Sequence, residues 1–132
     1  MNLSEQCYQW TSRYYRRRRF AFVESLLARV PKPYRILDVG GTPRFYLDRG
    51  FKCDGSIRIT LLNESIYDDL PVGFESVVGD GRDLSRYETG SFDVVHSNSV
   101  LTYLGGTAGR RQMAAEIQRA IRSDTAFDTG MA

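Results

Sequence analysis

The stretch "RILDVGGTPRFYL", residues 35–47, passes from an apolar run into two adjacent glycines and then into a proline. Residues 35–39 predict a buried strand, because a short apolar run between turn-forming residues is typical of a parallel sheet. The glycines break that strand, Thr42 can cap a helix, and Pro43 suits the first position of a short helix. The stretch therefore predicts a strand, a tight turn and a helix start.

Three further apolar runs predict strands elsewhere in the chain. They occupy residues 57–62, 75–78 and 92–96. The predicted helices are a first helix over 13–30, with an earlier start near Ser4 left open, a brief helical turn over 65–70, and a last helix over 107–122. Because strands alternate with long connections, we expect a three-layer α/β fold with a parallel sheet and helices on both faces.

The length of the chain favours a single domain. Its 132 residues match the usual size of one compact unit with one core. We assign residues 1–132 to one domain, with an N-terminal helical region at 1–34 and a cofactor-binding α/β half at 35–122. Residues 123–132 lack a strand pattern and are expected to form a tail.

The composition excludes several classes of protein. Hydrophobic residues make up 42% and charged residues 26% of the chain, which is typical of a globular protein and not of a disordered one. No apolar stretch approaches the roughly 20 residues of a membrane span, and the polar, arginine-rich N-terminus does not resemble a signal peptide. We therefore expect a cytoplasmic protein. Cys7 and Cys53 have no Cys or His at ligand spacing, so we predict no metal site and no disulfide framework.

A run of four arginines, Arg16 to Arg19, follows two tyrosines and precedes Phe20. Cations between aromatic residues suit a phosphate backbone, although a net charge of +2 does not by itself indicate a nucleic-acid partner. Against this, Phe20, Val23 and Leu27 recur at helical spacing, so the arginines would mostly form the solvated side of an amphipathic helix. The sequence leaves both interpretations open.

The ends of all four predicted strands carry small or polar residues. They are Asp38 with Gly40, Gly41 and Thr42; Asn63 with Glu64; Asp80 with Gly81 and Arg82; and His96 with Ser97 and Asn98. Because the carboxyl ends of parallel strands meet at one edge of the sheet, where ligands bind, we expect these residues to form one ligand site.

The glycine turn narrows the choice of ligand. A dinucleotide requires the pattern Gly-x-Gly-x-x-Gly, whereas here the glycines are adjacent and Phe45 takes the third position. Asp38 would repel a pyrophosphate but suits a cationic ligand. S-adenosylmethionine is such a ligand, and the residues at the strand ends match its ammonium, ribose and adenine groups.

Five segments together resemble the motifs of the class I S-adenosylmethionine-dependent methyltransferases. They are "ILDVGGTPRFYL", "TLLN", "VVGDGRDL", "FDVVHSNSVLTYLGG" and "RRQMAAEIQRA", and the resemblance covers about residues 16–122. It implies a Rossmann-like fold, S-adenosylmethionine as the cofactor, and transfer of its methyl group to an unidentified acceptor, either a small molecule or a macromolecule.

The resemblance also implies a role for each strand-end residue. Asp38, Gly40, Gly41 and Thr42 would line the methionine end of the cofactor, Asn63 would bind the ribose, Asp80, Gly81 and Arg82 would bind the adenine, and Ser97 and Asn98 would lie below the transferable methyl group. The chain departs from the family at Pro43, where a third glycine is common, and at Asn63, where a carboxylate is common. His96 is expected to be structural, and no catalytic residue is assigned, because positioning and desolvation can supply much of the rate of a direct displacement.

The family's sheet has seven strands in the order 3-2-1-4-5-7-6, and the sequence predicts only the first four. We therefore expect a fold that is incomplete at its C-terminal side, after the fourth strand and its helix. An open edge at the fourth strand would favour self-association. Two alternatives to an enzyme remain: a truncated, non-catalytic cofactor-binding or regulatory fragment, and a basic RNA-binding module.

Overall fold

The computed structural model describes residues 2–97, 106–122 and 127–128 of the chain. Within these residues, five strands form one parallel sheet in the order β3-β2-β1-β4-β5. The strands are β1 (Tyr34–Val39), β2 (Ile57–Asn63), β3 (Phe74–Val78), β4 (Val94–Ser97) and β5 (Phe127–Asp128), and the helices are α1 (Leu3–Leu27), α2 (Pro43–Leu47) and α3 (Gly106–Ala120). This order confirms the predicted parallel α/β sheet.

The fifth strand corrects the expectation that the chain after residue 122 has no strand. Phe127–Asp128 pairs in parallel with Val95 and His96 of β4. The edge of β4, which we expected to be open, is therefore paired at these two positions. The sequence pattern missed β5 because two residues are too few to show a strand periodicity.

Helix α1 begins at the earlier of the two predicted starts, and a capping box explains why. The Asn2 side chain accepts a hydrogen bond from the Glu5 backbone at 2.9 Å, and the Glu5 carboxylate accepts one from the Asn2 backbone at 3.1 Å. The helix ends at Leu27, a few residues before Pro31. In the described part of the chain, no helix is long and apolar enough to cross a membrane.

The two faces of the sheet are covered by different helices, as predicted. On one face, Phe20, Val23 and Leu27 of α1 and Phe45 and Tyr46 of α2 pack against Tyr34, Ile36, Ile57, Ile59 and Leu61. On the other face, Met113, Ile117 and Ala120 of α3 pack against Leu37, Val39, Leu62 and Val95. The apolar side chains of β1 and β2 are thus buried on both faces, which explains their nearly continuous apolar sequence.

Two predicted elements differ from the structure. Residues 65–70 form no helical turn: the Tyr67 backbone donates to the Ser76 hydroxyl at 2.9 Å and Asp69 has a φ of 54°, so this segment is a loop fixed by β3. Strand β4 begins at Val94 and not at residue 92, because Phe92 forms an isolated parallel bridge with Ile121 at the end of α3.

We predict that Phe20→Ala lowers the free energy of unfolding by about 3–5 kcal/mol, as is usual for removing a buried aromatic ring. Phe20 is 6% exposed and makes edge-to-face contacts with Phe45 and Phe51, with ring centroids 5.5 and 6.2 Å apart. Phe22 is 54% exposed on the same helix and provides the matched control, Phe22→Ala. Equal losses for the two variants in urea unfolding would contradict this packing.

Candidate functional site

The carboxyl ends of the first four strands meet at one edge of the sheet. In the register of the sheet, Val39 pairs with Leu62 on one side and with Ser97 on the other. Asn63, the last residue of β2, pairs with Val78, the last residue of β3. The loops that follow these strands therefore begin side by side at the same edge of the sheet, as the sequence predicted.

A glycine turn follows β1 at the centre of this edge. Gly40 has a φ of 77°, a left-handed conformation that favours glycine, and its backbone donates to the Leu62 carbonyl at 2.7 Å. Gly41 is buried, and a Cβ added to it would lie 2.1 Å from the Asp38 carboxyl carbon. A side chain at this position would therefore have to displace Asp38.

The Asp38 carboxyl group lies beneath the turn and not on its outer surface. Asp38 is 1% exposed, its Oδ2 accepts a hydrogen bond from the Tyr46 hydroxyl at 2.7 Å, and its Oδ1 lies 3.4 Å from His96 Nδ1. Burial, together with the charge and hydrogen bond of Asp38, raises the pKa of Tyr46 well above its ordinary value, so the hydroxyl remains a donor. In this arrangement Asp38 supports the turn from below.

His96 is part of the same buried group. It is 1% exposed, and its ring stacks on Phe45 with centroids 5.1 Å apart and planes at 23°. The sequence analysis missed Tyr46 and Phe45 as partners of Asp38 and His96. The sequence positions of Tyr46 and Phe45 do not predict these contacts, because the contacts depend on how α2 folds back over the end of β1.

Asn63 fixes the turn from the β2 side. Its Nδ2 donates to the Gly41 carbonyl at 2.8 Å, so the group that it can present to a ligand is the acceptor Oδ1. The side chain is half-buried, and the neighbouring Glu64 is exposed.

The loop after β3 contains an ion pair. Asp80 accepts hydrogen bonds from the Arg82 backbone at 2.8 Å and from its guanidinium at 2.6 Å, and the two side chains are 46% and 40% exposed. The side-chain bond from Arg82, followed by the backbone bond, lowers the pKa of Asp80, so the group is a carboxylate at neutral pH. A carboxylate can accept further hydrogen bonds from a ligand.

Gly81 brings this loop against the end of β1. A Cβ at Gly81 would lie 2.8 Å from Val39 Cγ1 and 3.2 Å from the Met113 sulfur. The close approach joins the loop after β3 to the strand that carries the glycine turn, which keeps Asp80 at the same edge.

The remaining predicted site residues have distinct surroundings. Ser97 is fully buried, and its hydroxyl has no hydrogen-bond partner among the described residues. Thr42 is the exposed N-cap residue of α2, but its side chain makes no capping hydrogen bond, so the predicted side-chain cap is not formed. Asn98 lies outside the described residues.

These residues present backbone and acceptor oxygens at one edge of the sheet. Gly40 and Gly41 let backbone approach a ligand closely, while Asn63 and Asp80 supply acceptor oxygens for hydroxyl and amine donors. Across residues 2–97, 106–122 and 127–128, no group of three or more His, Cys, Asp or Glu could hold a metal ion.

Comparison with known protein families identifies the family of this chain. Residues 57–127, more than half of its length, match the family described as "Methyltransferase domain". The chain belongs to this methyltransferase-domain family, and its fold is the class I, Rossmann-like one. A search of curated proteins found no match.

Solved structures agree with this fold. A SAM-dependent methyltransferase from Archaeoglobus fulgidus superposes with a TM-score of 0.61 at 15% identity, covering 85% of this chain and 51% of its own. The YcgJ protein from Bacillus gives 0.61 at 14% identity, covering 83% and 49%, and a SAM-dependent methyltransferase from Methanosarcina mazei gives 0.56 at 17%, covering 76% and 52%. The chain thus spans about half the length of these structures.

We predict that Tyr46→Phe lowers the free energy of unfolding by about 1–3 kcal/mol, because it leaves a buried Asp38 oxygen without its donor. Tyr34, which is 4% exposed and packs in the same cluster, provides the control Tyr34→Phe, since its hydroxyl does not bond to Asp38. Urea unfolding at neutral pH measures both variants. If Tyr46→Phe were no more destabilising than Tyr34→Phe, the Asp38 hydrogen bond would not support the turn.

Proposed function

We propose that this chain binds S-adenosylmethionine at the edge of the sheet that carries the glycine turn. We propose further that it takes part in the transfer of the cofactor's methyl group to an acceptor. The observation that supports this most is the junction of β1, β2 and β3. There, Gly41 is held between the Asp38 carboxyl group and the Asn63 amide, and Gly81 packs the Asp80 loop against Val39.

Each residue has a place in this proposal. The backbone of Gly40 and Gly41 and the exposed Thr42 contact the methionine end, Asn63 Oδ1 accepts from the ribose hydroxyls, and Asp80, held by Gly81 and Arg82, accepts from the adenine amine. Ser97, the last residue of β4, lies below the methyl group. Asp38 is a positioning residue, because its carboxyl group is buried under the turn and bonded to Tyr46.

When bound, the cofactor would supply a methyl group on a sulfonium sulfur. A nucleophile of the acceptor would attack the methyl carbon in line with the carbon–sulfur bond, and the sulfur would leave with the bonding electrons as a neutral thioether. The residues of this chain would hold the donor in one orientation, which is a contribution that such a displacement needs from a protein. His96 is buried under Phe45 and takes no part in proton transfer to the acceptor.

Calorimetric titration with S-adenosylmethionine tests the cofactor assignment. We expect the wild-type chain to bind and Asp80→Asn to bind at least about tenfold more weakly, because the amide replaces one acceptor oxygen with a donor. Asp83→Asn is the matched control: Asp83 lies in the same loop, and its carboxylate accepts from the Ser85 backbone at 3.0 Å.

Two results would contradict the proposal. One is the absence of both heat and thermal stabilisation for the wild type at millimolar ligand. The other is an equal loss of affinity in Asp80→Asn and Asp83→Asn, which would mean that the charge of the loop matters and the position of Asp80 does not.

A further inference from the structure

Part of helix α1 projects from the domain. Residues 13–18 are six consecutive helical residues, and every one of them is exposed. Because successive helical residues are about 100° apart, six of them cover the whole circumference of the helix. The helix is therefore not amphipathic along residues 13–18, and C-terminal to this stretch its packed face includes Phe20. We call residues 13–19 the arginine segment.

The arginine segment concentrates positive charge. It contains Arg13 and Arg16 to Arg19 and no acidic residue. The guanidinium of Arg49 lies close enough to Arg16 and Arg17 that their charges, after burial, lower its pKa, while the neighbouring carboxylate of Asp48 acts in the opposite direction. Arg49 is held in place by the rings of Phe20 and Phe45, with its guanidinium carbon 5.7 and 5.4 Å from their centroids.

This positive surface leads to the candidate cofactor site. The Arg49 guanidinium donates to the Phe45 carbonyl of α2 at 3.1 Å, and the exposed Arg44 lies in the first turn of the same helix. Helix α2 begins at Pro43, directly after the glycine turn. A polyanion that lies along Arg16, Arg49 and Arg44 would therefore reach the edge where the strands end.

Exposed aromatic rings accompany the arginines. Tyr14 and Tyr15 are 47% and 66% exposed, and the Arg18 guanidinium lies 5.8 Å from the Tyr14 ring centroid. Aromatic rings and guanidinium planes are the surfaces on which unpaired RNA bases stack, while cations bind the phosphates.

A membrane surface fits this segment less well. Insertion of a helix into the membrane interface needs a continuous apolar face. Tyr15 and the exposed Phe22 lie one above the other on the helix, but Arg18 and Arg19 occupy the surface between them. The alternation of rings and cations on this face favours a nucleic-acid strand.

We propose that the arginine segment, continued by Arg49 and Arg44, is a docking surface for an unpaired RNA strand. This binding is independent of S-adenosylmethionine, and it lies beyond the methyl-transfer function proposed above. The proposal adds an RNA partner, and the bound RNA strand runs towards the glycine turn.

Fluorescence anisotropy of a labelled, unstructured RNA with the full chain tests the proposal. With four phosphate contacts, the affinity should fall about 50-fold between about 50 and 200 mM salt. In Arg16→Gln/Arg17→Gln, the slope of log affinity against log salt should shrink by about 1.4. Arg110→Gln/Arg111→Gln is the matched control, because these adjacent exposed arginines lie on α3, across the sheet from α1, and should leave the slope unchanged.

The aromatic contribution is tested separately. Tyr15→Ala should weaken RNA binding about tenfold and Tyr15→Phe should retain it, because base stacking needs the ring and not the hydroxyl. Circular dichroism of each variant should show unchanged helix content.

Several results would overturn the docking surface. They are equal losses in the α1 and α3 double variants, tighter binding of duplex RNA or of single-stranded DNA of the same sequence, and binding to phosphatidylserine vesicles without binding to RNA. These measurements contain no S-adenosylmethionine. Failure of the RNA proposal can therefore be distinguished from failure of the cofactor proposal, which calorimetry tests.

Discussion

The contact between the Asp38 carboxyl group and Gly41 is the constraint on which the proposed site depends. The carboxyl group occupies the space that a side chain at residue 41 would need. The Tyr46 hydroxyl donates a hydrogen bond to it, and His96 Nδ1 lies 3.4 Å from its other oxygen. A buried carboxyl group without such partners would cost several kcal/mol. The turn is therefore shaped by a buried polar group beneath it and by the absence of a side chain above it.

Other contacts join the neighbouring strands to this turn. Asn63 binds the Gly41 carbonyl from β2, and Gly81 lets the loop after β3 approach Val39. Helix α2 begins directly after the turn, and its Phe45 stacks on His96. Arg44, which lies on this short helix, is therefore close to the turn. The proposed cofactor site and the proposed RNA surface are thus built from one continuous stretch of structure, although each is tested by its own ligand.

The sequence predicted the sheet because β1 and β2 are buried on both faces, and such strands read as apolar runs with polar ends. It did not predict how Asp38 is held: the buried carboxyl group accepts a hydrogen bond from Tyr46, which reaches it only once α2 folds back. It missed β5, since Phe127–Asp128 is a strand only through its pairing with β4. The arginines read mainly as the solvated side of an amphipathic helix, and the sequence did not predict that residues 13–18 are exposed around the whole helix.

The most direct test of the account is to observe the backbone amide signals of the isotopically labelled chain by NMR during titration with S-adenosylmethionine. The account predicts that the largest shifts fall on Gly40, Gly41 and Gly81, while the Tyr46 hydroxyl remains bonded to Asp38. Shifts confined to Gly55 and Gly73, which line a cavity of about 350 Å³ between β2 and β3 with Arg35 and Glu75, would place the ligand elsewhere and contradict the account.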